Sequence, residues 1–167
     1  MVPGDLDEIL RHNNDAVPAV NALTRPDLEW FAEHAHSFLV VDGPGGADDP
    51  GDPRRSVAGF LIGLVGPGLA YDSDNYRWFS ARYDRFVYVD RVVVADGGRG
   101  AGVGSQLYEE FAGRGRRDGH PVLLAEVNIR PRNDGSLRFH ERHGFRAVGE
   151  QDTEGGAKRV VLLEKRL

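Results

Sequence analysis

Two periodicities of hydrophobic and polar positions divide this chain into strands and helices. Phe86 to Ala95 (F-V-Y-V-D-R-V-V-V-A) is nearly all β-branched, aromatic or small, which predicts a strand buried on both faces. Gly97, Gly98, Gly100, Gly102 and Gly104 follow within eight positions. Val103, Leu107 and Phe111 then recur every four residues, as on one face of a helix. Gly119 and Pro121 mark the stop of that helix. The centre of the chain therefore reads as strand, glycine loop, helix.

Other segments are read in the same way. Leu6 to Arg11 is expected to be a short first strand, and Asn13, Asn14 and Asp15 to cap a helical stretch ending near Leu23. Thr24-Arg-Pro-Asp27 is a helix start: Thr24 as N-cap, Pro26 in the first turn, Asp27 at the positive end, with Leu28, Phe31 and Ala35 on one face. Ser37 to Asp42 and Val57 to Val65 predict strands, joined by a mobile hairpin loop rich in proline, glycine and aspartate. Val122 to Val127 predicts another strand, followed by a connection over Asn128 to Arg132. Asn133 or Asp134 is expected to cap a helix that ends at Gly144. Phe145 to Val148 and Lys158 to Glu164 predict the last two strands, with Gly155-Gly156 in the turn between them. Between Gly66 and Arg85 lie Tyr71, Tyr76, Trp78, Phe79 and Tyr83, five of the chain's fifteen aromatic residues. They read either as cover for the core or a subunit interface, or as the lining of an acceptor pocket.

Composition narrows the classes. A chain of 167 residues with no internal repeat is expected to form one domain, residues 1–167. Its net charge of −5 gives no support for nucleic-acid binding, although Arg114, Arg116 and Arg117 form a local basic cluster. The absence of cysteine excludes disulfides, thiolate metal sites and a cysteine-linked acyl-enzyme. The start of the chain lacks a signal-peptide pattern, and the longest apolar run is too short to span a bilayer, so a cytoplasmic protein is expected, without membrane partners. His34, His36, His120 and His143 have no metal-ligand spacing, and no metal site is expected.

The glycine loop carries the candidate chemistry. Unpartnered N–H groups and the helix dipole make such a junction suitable for an anion. The glycines do not follow the dinucleotide spacing G-x-G-x-x-G, and no lysine follows Gly104 as a P-loop requires. What is present is Arg99-x-x-Gly102-x-Gly104. This resembles the R/Q-x-x-G-x-G/A loop with which the GNAT superfamily of N-acetyltransferases wraps the coenzyme A pyrophosphate. A second segment, Asn133 to Phe145, resembles that family's N-x-x-A-x-x-[LF]-Y-E-x-x-G-F pattern, with Ser136 in place of alanine and His140 in place of tyrosine.

The resemblance implies an α/β GNAT-type (acyl-CoA N-acyltransferase) fold, with a mixed central sheet of about six to seven strands and about four helices. It implies direct transfer of acetyl from acetyl-CoA to a primary amine, either a small molecule or a peptide N-terminus, by a monomer or a homodimer. A non-catalytic acyl-CoA-binding module is the alternative. Cofactor contacts are implied for Val92, Val94, Arg99, Gly100, Ala101, Gly102, Val103, Gly104, Ser105 and Asn133. The strand before the loop and the Val122–Val127 strand are expected to splay apart around the pantetheine arm, with the Val94 N–H as oxyanion donor. Two carboxylates are candidate bases. Glu126 either takes that role or pairs with Arg130 or Arg132; Asp90 either takes it or pairs with Arg91 or Arg85. His140 stands where the family's thiolate-protonating tyrosine lies, and reads either as that acid or as a helix-surface residue beside Glu141.

Overall fold

The computed structural model describes residues 5–43 and 56–167. Its helices are α1 (Asp5–Asp15), α2 (Arg25–His34), α3 (Asp74–Ser80), α4 (Val103–Arg117) and α5 (Asp134–Arg142). Its strands are β1 (Ser37–Asp42), β2 (Val57–Gly66), β3 (Phe86–Val94), β4 (Val122–Arg130), β5 (Arg146–Thr153) and β6 (Lys158–Arg166). They form a six-stranded sheet in the order β1-β2-β3-β4-β6-β5. The β1–β2, β4–β6 and β5–β6 pairs are antiparallel, and β3–β4 is parallel, so the sheet is mixed as expected. Most of the hairpin loop expected between Asp42 and Ser56 lies outside the described residues.

The structure changes several of the sequence expectations. Leu6–Arg11 is not a strand but part of α1, and no helix follows it before Thr24. Asp5, Asp7 and Glu8 put negative charge in the first turn, and Ile9 and Asn13, four apart, form its buried face. The aromatic segment contains a fifth helix, α3, capped by the Ser73 hydroxyl, which accepts from the Tyr76 N–H. β4 also runs on through the expected connection to Arg130. At α2, in contrast, the expected N-terminus is present as a full capping box between Thr24 and Asp27.

The chain divides into two compact units. One comprises residues up to Gly63 together with Asp90–Phe111. In it the first two turns of α4 lie close against β2. A Cβ at Gly59 would come within 2.8 Å of Val103 Cγ1 and 2.9 Å of the Val93 carbonyl oxygen, and one at Gly63 would strike the Phe111 ring. Glycine is therefore required at two same-face positions of β2. Val103, Leu107 and Phe111 are buried as the four-residue spacing predicts.

The same unit holds a buried polar network. Arg91 Nε donates to Asp90 Oδ2 at 2.7 Å, with side chains only 7% and 4% exposed. Arg91 also donates to Asn13 Oδ1 (3.0 Å) and to the Asn21 carbonyl (3.2 Å), and its guanidinium lies 5.1 Å from the centre of the Phe31 ring. Asn13 donates to the Asn21 carbonyl as well, while Asn14 exchanges hydrogen bonds with the backbone of Leu23. The loop after α1 is thus tied to β3 through one guanidinium.

The other unit comprises Leu64–Val89 and Ala112–Leu167. Its core includes Tyr76 and Phe79 of α3, Phe86 and Tyr88 of β3, Leu123 and Leu124 of β4, and Leu162 of β6. Tyr76 and Phe79 are 2% and 0% exposed, so these two rings belong to the core.

Removing one member of a buried ion pair typically costs about 3–5 kcal/mol, because the other charge is left without compensation. Arg91→Met is expected to lose stability of that order in denaturant unfolding. Asp90→Asn in the same background should recover part of the loss, and full additivity of the two substitutions would contradict the pairing.

Candidate functional site

In the first unit, β3 runs through Val92 and Val94 into a short 3-10 turn at Asp96–Gly98, and α4 begins at Val103. Gly100 and Gly102 have φ of 79° and 83°, in the left-handed region that favours glycine. A Cβ at either would meet nothing within 4 Å, so the space above this backbone is open. The Gln106 N–H bonds to the Gly102 carbonyl (3.0 Å), which closes the first turn of α4. Gly102 offers no side chain to cap the helix, and the first turn carries no acidic residue to compete for an anion. Arg99 is 70% exposed along its side chain and pairs with Asp96 at 3.1 Å. An exposed surface pair of this kind contributes little stability and can be exchanged for another anion. The open glycine backbone, the helix N-terminus and the exposed guanidinium fit a pyrophosphate.

Val92, Val94, Arg99, Gly100, Ala101, Gly102, Val103, Gly104 and Ser105 are therefore consecutive parts of one strand–loop–helix junction. Asp90 belongs to the same unit, but it is engaged by Arg91 in the buried network. This is the first of the two pairings the sequence offered. Arg85, the other partner the sequence offered, donates to the Asp118 carbonyl.

Glu126, His140 and Asn133 belong to the second unit. Glu126 lies on β4, opposite Leu162 of β6, and is half-buried. The Tyr88 hydroxyl donates to Glu126 Oε1 at 2.9 Å. Its expected alternative partners are engaged elsewhere: Arg130 bonds Asp152 and the Gly156 carbonyl, and Arg132 bonds Asp134. Tyr88 is a partner of Glu126 that sequence reading missed. The only signal was a polar tip in an otherwise apolar run, and a tyrosine at a buried strand position is equally a core residue.

Asn133 is the N-cap of α5, its Oδ1 accepting the Ser136 N–H at 3.1 Å. His140 is not on the helix surface, being 3% exposed. Its Nδ1 lies 2.8 Å from the Ser136 carbonyl oxygen, and its ring meets Phe145 edge-on at 5.0 Å. A carbonyl only accepts, so the Nδ1 carries the proton. Burial pushes the His140 pKa down to about 4, against a smaller opposing effect of the Ser136 hydrogen bond. The ring is neutral near pH 7, and its one N–H proton is held by a backbone carbonyl. These surroundings favour a packing residue over the expected general acid.

A third cluster lies at Glu164, which is 7% exposed. Burial opposes its charge, but hydrogen bonds from Arg146 (2.6 Å) and the Tyr83 hydroxyl (2.7 Å) outweigh this and hold its carboxyl below the ordinary range. Among the described residues, no group of three or more histidine, aspartate or glutamate side chains is placed to hold a metal ion, and no helix is long and apolar enough to cross a membrane.

No curated protein sequence matches the chain. Solved structures share its fold. Ribosomal-protein-alanine N-acetyltransferase from Brucella melitensis is 22% identical, with a TM-score of 0.70 over 100% of this chain and 97% of that one. Ard1 from Thermoplasma volcanium is 19% identical, with a TM-score of 0.73 over 100% and 94%. NAA60 from Arabidopsis thaliana, in complex with a bisubstrate analogue, is 18% identical, with a TM-score of 0.73 over 99% and 94%. The profile of the Acetyltransferase (GNAT) family matches residues 6–145, most of the chain. With the glycine junction and the mixed sheet in place, the chain belongs to the GNAT acetyltransferase family.

Proposed function

We propose that this protein is an acetyl-CoA-dependent N-acetyltransferase that passes the acetyl group directly to a primary amine within a ternary complex. The observation that carries the reading is the open glycine backbone at Gly100 and Gly102, immediately before α4. The acceptor is proposed to be a peptide N-terminus or a small amine. Among the N-acetyltransferases that share the fold, one is named for a ribosomal-protein alanine, which supports the former.

Acetyl-CoA supplies an acetyl group activated as a thioester. Arg99 and the backbone from Gly100 to Gly104 would hold its pyrophosphate, and main-chain groups of Val92 and Val94 its pantetheine arm. The Val94 N–H would donate to the carbonyl oxygen as charge develops there. Glu126 accepts a proton from the attacking amine, directly or through water, because an ammonium has no lone pair to attack with. The engagement of Asp90 by Arg91 supports Glu126 rather than Asp90 in this role. His140 is left to pack α5.

Three outcomes are expected. Gly102→Glu places a carboxylate and a strained φ in the anion site, so it should abolish the rise in melting temperature that coenzyme A gives by mass action. Normal coenzyme A binding by this variant would sink the loop assignment. Glu126→Gln keeps the shape and removes the basicity. It should lower kcat about 10²–10⁴-fold with coenzyme A affinity little changed, and the residual rate should climb with pH. Full activity at neutral pH would remove Glu126 from the proton path.

The third outcome concerns His140 and stability. Its pKa is about 4 when folded and near 6.5 when unfolded, so between these values the unfolded chain binds more protons. The stability from burying it neutral is present above pH of about 6.5 and is lost as pH falls towards 4, a change of about 3 kcal/mol. His140→Phe should flatten the fall in stability over that window, as measured by denaturant unfolding at a series of pH values. An unchanged slope would show that the histidine is not buried in its neutral form.

A further inference from the structure

We propose that Tyr88 is a positioning residue for the Glu126 carboxylate, and that the aromatic helix α3 holds Tyr88 in place. The inference rests on Glu126 being the base. Tyr88 lies where β3 and β4 are in parallel register, Val87 opposite Leu123 and Tyr88 opposite Leu124. Glu126 is two residues beyond Leu124, on the same face of β4. The Tyr88 side chain reaches along that face, and its hydroxyl donates to Glu126 Oε1 at 2.9 Å.

The ring has little freedom to leave this position. Tyr88 is 1% exposed. Tyr76 packs against it with ring centres 5.8 Å apart at 66°, and Phe79 does so at 5.8 Å and 54°. Both rings come from α3, and Tyr76 is itself fixed by donating its hydroxyl to the Val65 carbonyl at 2.7 Å. The aromatic density of this segment thus has a use besides core cover. It fixes the direction from which a hydroxyl meets the carboxylate.

The chemical consequence follows from the direction of donation. A hydroxyl that donates to a carboxylate oxygen favours the ionised form, the form that can accept a proton. It also fixes the carboxylate plane, which an isolated glutamate with three rotatable bonds would not keep. Ionisable groups on the neighbouring elements include engaged carboxylates and a neutral ring. On β6, Glu164 is held by Arg146 of β5 and by Tyr83. On α5, His140 is neutral near pH 7. On α3, Asp74 pairs with Arg77 at the surface.

The test compares wild type, Tyr88→Phe, Glu126→Gln, the double variant and Tyr76→Phe. Rates are measured against pH with acetyl-CoA and an amine from an acceptor panel, with coenzyme A binding followed by calorimetry. Tyr88→Phe should lower kcat about tenfold, the equivalent of one charge-assisted hydrogen bond, and move the acid limb of the profile to higher pH. Coenzyme A affinity should be unchanged. In the double variant, the tyrosine substitution should have no further effect beyond Glu126→Gln, because its target is gone. Tyr76→Phe keeps the ring against Tyr88 and loses only the hydroxyl that fixes it, so it should lower the melting temperature and move the acid limb less than Tyr88→Phe does. If Tyr88→Phe leaves the profile unmoved while Glu126→Gln is impaired, the positioning role is overturned and the base assignment stands. If Glu126→Gln is fully active, the base assignment fails first. If Tyr76→Phe moves the limb as far as Tyr88→Phe does, general loosening accounts for the effect and the inference falls.

Discussion

The contact between α4 and β2 is the constraint on which the cofactor junction depends. Gly59 and Gly63 remove the side chains that would hold the helix off the sheet, and Val103 and Phe111 fill the space they leave. Burying a side chain such as Phe111 in full contributes on the order of 1.5–3 kcal/mol, and that gain is available only at this close approach. The start of α4 is fixed by the same contact. The chain must then turn from β3 into α4 through a short loop, and the left-handed angles at Gly100 and Gly102 accomplish that turn. The open glycine backbone is thus a consequence of how closely a helix is packed. Side chains at Gly59 or Gly63 would displace the loop before they touched any ligand.

Buried polar chemistry divides into structural and candidate functional parts, and the division follows from partners rather than residue type. Asp90 and Glu126 are both carboxylates on central strands. Asp90 meets a guanidinium that also holds Asn13 and the Asn21 carbonyl, so its charge stabilises the placement of the α1–α2 loop. Glu126 meets a hydroxyl, which orients it without neutralising it. A guanidinium brings a compensating positive charge to a carboxylate, whereas a hydroxyl orients it and brings none. The same reasoning bears on His140. Its Nδ1 proton is committed to a backbone carbonyl, and burial disfavours the charged ring.

The chain by itself determined the central strand–loop–helix, the capped start of α2, a cap of α5 at Asn133 or Asp134 and the turn at Gly155-Gly156. In each case the signal is local: a hydrophobic period, a capping side chain or a glycine at a turn. Arg99-x-x-Gly102-x-Gly104 was legible for the same reason, since backbone angles and a helix start are set within a few residues. The tertiary structure alone decided the rest. Leu6, Ile9 and Leu10 already stand at helical spacing, but over so short a stretch the period is easily misread, and the segment is fixed as a helix where Ile9 and Asn13 are buried. α3 is a helix of seven residues, too short to be stable alone, and it exists because Tyr76 and Phe79 pack on Phe86 and Tyr88. Asp90 and Glu126 could not be told apart from sequence, because the partners that distinguish them are not their sequence neighbours alone. Asn13 is 78 positions from Arg91, and Tyr88 is 38 from Glu126. Sequence spacing fixes local angles, whereas the charge, basicity and orientation of a side chain depend on whatever the fold brings against it.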